Sequence, residues 1–207
     1  IHTNLLYSTS NLSIDFLASG GRGEFYNGED IIARHTLKDE VIEVDQTGRG
    51  ATKAWEGTSR LGIDYTFSNN DKLSGAYYFK GNSSSTLRDS KTLFTPLSEN
   101  ITSQSLSKSD GSGHSILQNA RLQYDGHKGL IAGVDFTRYH KPHELYFWDK
   151  SDKGTETNML NKTEQNVSRY SIFINQTHTI SSWQLNYGVQ GEYAKSDNLL
   201  EYFYDKV

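Results

Sequence analysis

The sequence of 207 residues contains no cysteine. This absence excludes disulfide scaffolds, thiol catalysis and zinc ribbons. Proline is also scarce, since Pro96 and Pro142 are the two in the chain, whereas glycine occurs 18 times and tyrosine 13 times. Because a proline deletes a hydrogen bond from a β-ladder, a chain poor in proline and rich in Tyr, Thr, Ser and Gly favours extended strands.

The sequence has no stretch approaching the roughly 18 apolar residues of a membrane helix, and only 34% of its residues are hydrophobic. A helical membrane protein is therefore excluded. A membrane β-barrel is compatible with this composition, because only alternate residues of its strands face lipid. The net charge is −4 and the Lys and Arg residues are scattered, so no nucleic-acid partner is predicted.

Short polar turns recur along the chain, and most of their flanks alternate apolar and polar residues. The turns are Ser8–Ser10, Ser68–Asp71, Gly126–Lys128 and Ile180–Ser182. The clearest flank is Leu61–Phe67, in which every odd residue is large and apolar and every even residue is small or polar. A period of two on both sides of a polar turn predicts a β-hairpin with one apolar face.

The same alternation predicts about eight core strands, although Phe173 breaks it. The other segments that carry it are Ile1–Tyr7, Leu12–Ala18, Leu73–Phe79, Ile116–Tyr124, Leu130–Phe136, Tyr170–Ile174 and Trp183–Tyr193. The opposite positions carry bulky polar groups that suit a water-filled lumen, namely Arg121, Gln123, Gln184, Gln190 and Glu192. We therefore predict an all-β chain, an antiparallel meander without helices, in which residues 1–207 form one region with no domain boundary.

Long excursions separate the predicted hairpins, at Gly20–Gly57, Gly81–Gly113, Pro142–Gln165 and Ser196–Val207. They contain strand-like pieces, so we expect many strands to continue beyond the core as raised hairpins. Short turns at one end of the strands and long excursions at the other are typical of an outer-membrane β-barrel. A soluble β-sandwich is the alternative, and it would normally show turns every 8–12 residues at both ends of the strands.

Two stretches resemble a known family. Leu61–Gly75 is similar to the "strand, polar turn, Lys-Leu, strand" unit of the outer-membrane β-barrel family seen in TonB-dependent receptors of Bacteroides-type bacteria, and Leu185–Asn198 is similar to another strand and loop entry of that family. The resemblance implies a barrel of about 22 strands with a plug domain. It also implies energy relayed by TonB, a small nutrient as ligand, and a location in the bacterial outer membrane.

The resemblance leaves several family parts without a counterpart here, because the sequence shows no plug-like segment and no TonB-contacting box. The chain begins with Ile1 and shows no charged or apolar leader region, so we expect an internal fragment or a processed product. Eight strands would form only an arc of a larger barrel, contacting membrane lipid and the rest of the barrel. An isolated arc is expected to self-associate through its unpaired sheet edges.

Aromatic groups in the predicted outer excursions are the candidate ligand-binding residues. They are Phe25, Tyr26, Tyr146, Phe147 and Trp148, with Tyr202–Tyr204 as a further group. Such rings can stack on a ligand, or they can pack raised hairpins against one another. We predict no catalytic residue, no enzyme activity, no cofactor and no metal site. The segments His140–Glu144, Gly20–Gly23 and Asp110–Gly113 are interpreted as loops.

Overall fold

The computed structural model describes residues 1–37, 40–98 and 101–206. Its strands are β1 (His2–Ser8), β2 (Leu12–Leu37), β3 (Glu40–Thr66), β4 (Lys72–Pro96), β5 (Ser103–Asp125), β6 (Leu130–Ser151), β7 (Glu156–Ile180) and β8 (Trp183–Lys206). They form one antiparallel sheet in the order β1 to β8, each strand pairing with its neighbours in the chain. The predicted all-β meander of about eight strands is confirmed. The described residues contain no helix long and apolar enough to cross a membrane.

The predicted excursions are the outer halves of very long strands. The first one pairs residue by residue from Gly20↔Gly57 to Leu37↔Glu40. The second and third do the same, out to Phe94↔Ser103 and Lys150↔Glu156. The raised hairpins are therefore confirmed. Residues 38–39 and 99–100, which belong to the first two excursions, lie outside the described residues.

Three segments interpreted as loops lie inside strands, which corrects that interpretation. Gly20–Gly23 belongs to β2, Asp110–Gly113 to β5 and His140–Glu144 to β6. Glycine breaks no ladder when its backbone groups pair on both sides. Pro142 interrupts the ladder locally. The β5–β6 pairing skips the residues opposite Lys141 and Pro142 and resumes at Gly113↔His143. Proline lacks the N–H that the ladder needs at this point.

The four predicted short turns are confirmed, and they all lie at one end of the sheet, the short-turn end. They join the strands through residues 9–11, 67–71, 126–129 and 181–182. Three residues of these short turns have a left-handed backbone: Asn70 with φ 66°, Ser181 with φ 58° and Gly129 with φ 83°. Glycine and asparagine adopt this conformation with little strain, whereas serine carries the penalty of its Cβ.

Ser181→Gly is therefore expected to stabilise the β7–β8 hairpin, by up to about 1 kcal/mol, because glycine removes the strain at positive φ. Ser182→Gly is the matched control, because the backbone of Ser182 does not have a positive φ. At this position glycine is expected to destabilise the hairpin by about 0.5–1 kcal/mol. Urea unfolding midpoints of both variants in the same detergent provide the measurement. Equal shifts in one direction would contradict the expectation.

The sheet is a single layer with both faces open. Among the residues that the structure describes, no apolar side chain is buried, and large ones such as Ile172 (57% exposed) and Val189 (70% exposed) stand free. Apolar surface of this extent is rare on soluble monomers. The two faces of the sheet, rather than an internal core, therefore carry the functional information.

Candidate functional site

The strand pairings divide the side chains between two faces. Residues that are paired across an antiparallel sheet share a face, and successive residues of one strand alternate between faces. Leu12, Tyr65, Leu73, Tyr124, Ala132, Ile174 and Val189 lie side by side across seven strands. We call the face that they occupy the apolar face, and the opposite one the polar face.

Two further rows on the apolar face continue this composition away from the short turns. They are Ile14, Ile63, Gly75, Leu122, Val134, Ile172 and Gly191, followed by Phe16, Leu61, Tyr77, Ala120, Phe136, Tyr170 and Tyr193. These three rows contain no charged residue, and we call them, with their extension to Trp183 on β8, the apolar band. Eleven residues, Trp183–Tyr193, match the roughly 9–11 that a tilted strand needs to cross a bilayer.

Aromatic side chains lie at both margins of the apolar band. Those nearer the short turns are Tyr7, Tyr65, Phe67, Tyr124, Trp183 and Tyr187, and those on the other side are Phe16, Tyr77, Phe79, Phe136, Tyr170 and Tyr193. Neighbouring rings interact, with centroids 5.0 Å apart for Phe136 and Tyr170 and 6.4 Å apart for Tyr170 and Tyr193. Two aromatic girdles around an aliphatic centre are the pattern of transmembrane barrels.

The hairpins are staggered in a constant direction. At the short-turn end, the β2–β3 pairing stops at Leu12↔Tyr65, whereas the β7–β8 pairing continues six residues past Ile174↔Val189. At the opposite end, the β6–β7 pairing stops earlier than the β2–β3 pairing. The strands are therefore inclined to the line that joins the hairpin ends. Such a stagger is what closing a sheet into a barrel requires.

The polar face carries charges at the same level as the apolar band. Four ion pairs cross between neighbouring strands: Arg60–Asp15 at 3.9 Å, Lys72–Asp64 at 3.2 Å, Arg121–Asp135 at 3.7 Å and Arg169–Glu192 at 2.7 Å. All eight side chains remain partly exposed, so each pair stabilises the sheet by no more than about 1 kcal/mol. Their main effect is to keep this face hydrated and nearly neutral.

Phe173, the exception to the alternation, has a defined role on the polar face. It lies directly opposite Gly133, and its ring occupies the space in which a Gly133 side chain would stand, since an added Cβ would be 2.5 Å from a ring atom. The Arg121 guanidinium carbon lies 5.3 Å from the ring centroid. The ring therefore covers a glycine and interacts with a cation, as cross-strand aromatics do.

A buried carboxylate joins two hairpins at the short-turn end. Asp71 is only 6% exposed, and it accepts hydrogen bonds from Asn69 Nδ2 (2.7 Å), Tyr124 Oη (2.5 Å) and the His127 backbone N–H (2.7 Å). These donors, the His127 backbone first, hold the pKa of Asp71 far below its usual range. Sequence reasoning missed this role. The feature of the sequence that could have indicated it is the acidic residue at the end of the Asn-Asn-Asp turn.

The candidate ligand-binding aromatics lie in strands rather than loops, and they are divided between the two faces. Tyr26, Tyr146 and Trp148 are on the apolar side beyond the band, whereas Phe25 and Phe147 are on the polar side. Strands β3, β4 and β5 separate the β2 pair from the β6 group. The structure therefore does not bring the five residues into one cluster, and their role in binding stays a prediction.

Two of these aromatics form hydrogen bonds from β6 to the neighbouring strand β7, as expected if they pack raised hairpins together. Tyr146 Oη donates to Asn158 Oδ1 at 2.7 Å and Trp148 Nε1 donates to Glu156 Oε1 at 2.8 Å. The Trp148 hydrogen bond lowers the pKa of Glu156. The histidines of the nearby segment do not share a face: His140 contacts Asn166 at 2.6 Å on the apolar side, whereas His143 lies near Gly113 on the polar side.

No family model matches the chain, and no curated protein matches it. Solved structures are similar only weakly. Pseudomonas aeruginosa OccK10 (OpdN) is 8% identical over 98% of both chains with a TM-score of 0.18. The ferric citrate transporter FecA in its unliganded form is 9% identical over 98% of this chain and 40% of its own, with a TM-score of 0.23. OmpT, an outer membrane protein of Vibrio cholerae, is 8% identical over 95% of this chain and 99% of its own, with a TM-score of 0.14. Scores this low carry no argument, and the function is inferred from the two faces of the sheet.

Proposed function

We propose that this chain is a segment of a bacterial outer-membrane β-barrel, with its apolar face toward lipid and its polar face toward the lumen. One observation carries the proposal. Across seven strands, at one level of the sheet, the apolar face has no charged residue while the polar face has four ion pairs. Lipid on one side and water on the other satisfy both faces at once.

The open sheet supports a barrel larger than these eight strands. Within the described residues, β1 pairs with β2 alone and β8 with β7 alone. A sheet edge exposed to hydrocarbon leaves N–H and C=O groups without partners, so membrane sheets close completely. We propose that further strands pair with β1 and β8 and complete the barrel. The short turns then face the periplasm and the raised hairpins face the outside.

The finer proposal is a TonB-dependent receptor that imports a small nutrient, with a plug domain inside the barrel. It rests on the resemblance of Leu61–Gly75 and Leu185–Asn198, and a charged, hydrated lumen wall is compatible with it. The full-length gene provides the test. It is expected to encode a plug and about fourteen further alternating strands, and a gene without them would overturn the receptor proposal while leaving the membrane proposal intact.

The alternative is a soluble all-β binding or adhesion module of the cell surface. Its apolar face would pack against a second layer of the same protein. Within the described residues there is one layer, with Ile172 and Val189 more than half exposed. This observation favours the membrane proposal.

Cysteine labelling tests the membrane proposal, and the absence of native cysteine makes every introduced thiol unique. Val189 and Gln190 are sequence neighbours on opposite faces of β8, and Ile172 and Ser171 form the same kind of pair on β7. In the full-length protein in membranes, a water-soluble maleimide is expected to modify Gln190→Cys and Ser171→Cys. Fluorophores attached at Val189→Cys and Ile172→Cys are expected to be quenched by nitroxide-labelled lipids.

The labelling outcomes separate the two functions. A soluble module would protect Val189→Cys and Ile172→Cys from the maleimide without any quenching by lipid. Equal reactivity of all four cysteines would show that the faces are not in different solvents, and it would also overturn the proposal. Urea-unfolded samples, in which all four thiols react, provide the control for reagent quality.

A further inference from the structure

We propose that the apolar face of β5–β8 holds a phosphate-bearing membrane lipid at the edge of the apolar band. The site has two adjoining parts, an apolar groove within the band and a polar hollow just beyond it. The inference rests on the proposed membrane location of the sheet, because an acyl chain must be available beside the groove.

The apolar groove has a volume of about 650 Å³. Its walls include Leu122, Val134 and Ile172, and it reaches two small residues, Ala120 and Gly191. The neighbouring residues of the same rows have large side chains. Ala120 and Gly191 do not fill the corresponding space, and the groove lies there. The groove is open and apolar, as a binding surface for a lipid acyl chain requires.

The polar hollow adjoins the groove, since Phe136 and Tyr170 line both. Its volume is about 610 Å³. Arg138 lines the hollow and lies directly between Gln118 on β5 and Ser168 on β7. Three side chains that can donate hydrogen bonds therefore stand in one row, immediately beyond the last row of the apolar band.

The other charges of the hollow already have partners. Glu164 accepts a hydrogen bond from Asn166 at 2.6 Å and lies 3.7 Å from His140 Nδ1. Asp197 pairs with Lys195 at 2.7 Å. Arg138, in contrast, forms no ion pair with any residue that the structure describes.

The arrangement of groove and hollow specifies the occupant. An unpaired guanidinium binds a phosphate through two parallel hydrogen bonds, a geometry that the planar arginine side chain favours. The phosphate of a lipid lies at the edge of the hydrocarbon layer, and its acyl chain extends into that layer. Arg138 stands at this edge, and the groove extends from it along the band toward Val134. A lipid with a phosphate headgroup therefore fits both parts.

The test compares two lipids that differ only in the phosphate, phosphatidic acid and diacylglycerol with identical acyl chains. The full-length protein in detergent micelles is titrated with each lipid, and bound lipid is counted by native mass spectrometry. Arg138→Gln is expected to weaken phosphatidic acid binding about tenfold and to leave diacylglycerol binding unchanged. Gly191→Leu fills the groove and is expected to weaken the binding of both lipids.

Arg22→Gln is the matched control, because Arg22 is also beyond the band on the apolar side, but on β2, away from the hollow. It is expected to leave both affinities unchanged. Equal losses in Arg22→Gln and Arg138→Gln, or no loss in either, would overturn the site. Competition by inorganic phosphate as effective as that of phosphatidic acid would also overturn it, because it would show an anion site without a lipid.

Failure of this inference is distinguishable from failure of the proposed function. The cysteine labelling pattern at Val189 and Gln190 does not depend on Arg138. If that pattern alternates as expected while Arg138→Gln leaves lipid binding unchanged, the membrane proposal stands and the lipid site is wrong. If the pattern does not alternate, the membrane proposal itself fails.

Discussion

Replacing Ile172 by lysine is expected to destabilise the sheet in the proposed membrane setting by about 2–4 kcal/mol, the cost of a lysine that faces lipid at mid-depth. Ile172 stands in the middle row of the apolar band on β7, between Val134 on β6 and Gly191 on β8. Its side chain is 57% exposed, so the cost arises from the solvent outside the sheet and not from loss of internal packing. Urea unfolding of the full-length protein in phospholipid vesicles provides the measurement.

Ser171→Lys is the matched control, because it introduces the same side chain one residue away on the polar face. Ser171 donates a hydrogen bond to Asp135 Oδ2 at 3.3 Å and is paired with Glu192 across β7 and β8. A lysine there meets two carboxylates in water, so we expect a change within about 0.5 kcal/mol. If Ser171→Lys cost as much as Ile172→Lys, the faces would be assigned wrongly.

The parity of the core strands was predictable from the sequence. In Trp183–Tyr193 each odd position except Gly191 is apolar, and the structure places all of these positions on one face. The prediction succeeds because the two faces of the band have opposite compositions on alternate residues, as a sheet between lipid and water would require under the proposed function. The short turns were predictable for a related reason, since residues such as Asn70 tolerate the positive φ of the turn.

The outer halves of the strands could not be separated from loops by the same reasoning. Beyond the band both faces carry polar residues, and ion pairs appear on the apolar side too, such as Lys53–Glu24 at 3.7 Å and Lys162–Glu144 at 3.0 Å. Polar residues on both faces remove the alternation, although the backbone ladder continues, interrupted in the β5–β6 pairing opposite Lys141 and Pro142. A polar segment such as Asp110–Gly113 therefore has the composition of a loop and the pairing of a strand.

Contacts between segments far apart in the chain could not be predicted from the sequence either. The exception at Phe173 is explained only by the register that places it opposite Gly133. The alternation of residues within Tyr146–Trp148 already indicates that these aromatics lie on both faces. Their distance from the aromatics of β2, with three strands between them, is known only from the order of the strands in the sheet. The bond between Asp71 and His127 joins two turns 56 residues apart, and no local pattern specifies it.

Asp71→Asn is expected to destabilise the sheet at neutral pH by an amount that shrinks as the pH falls. The hydrogen bonds from the His127 backbone, Tyr124 and Asn69 lower the pKa of Asp71 in the folded protein. A carboxyl group with a lowered pKa contributes stability above its unfolded pKa of about 3.9 and loses it progressively at lower pH. The wild-type chain therefore loses this contribution below about pH 4, whereas the variant never has it.

The measurement is the difference in urea midpoint between wild type and Asp71→Asn, followed from about pH 7 down to about pH 2 in one detergent. Carboxyl groups distant from Asp71 cancel in the difference, so its pH dependence reports Asp71 together with the His127 ring, whose Nδ1 lies 2.5 Å from Asp71 Oδ1. Tyr124→Phe removes one of the donors and is expected to give a smaller difference of the same sign. A difference that stays constant over this range would show that Asp71 acts through shape alone, because a charge-dependent tie between the turns must weaken once the carboxylate takes up a proton.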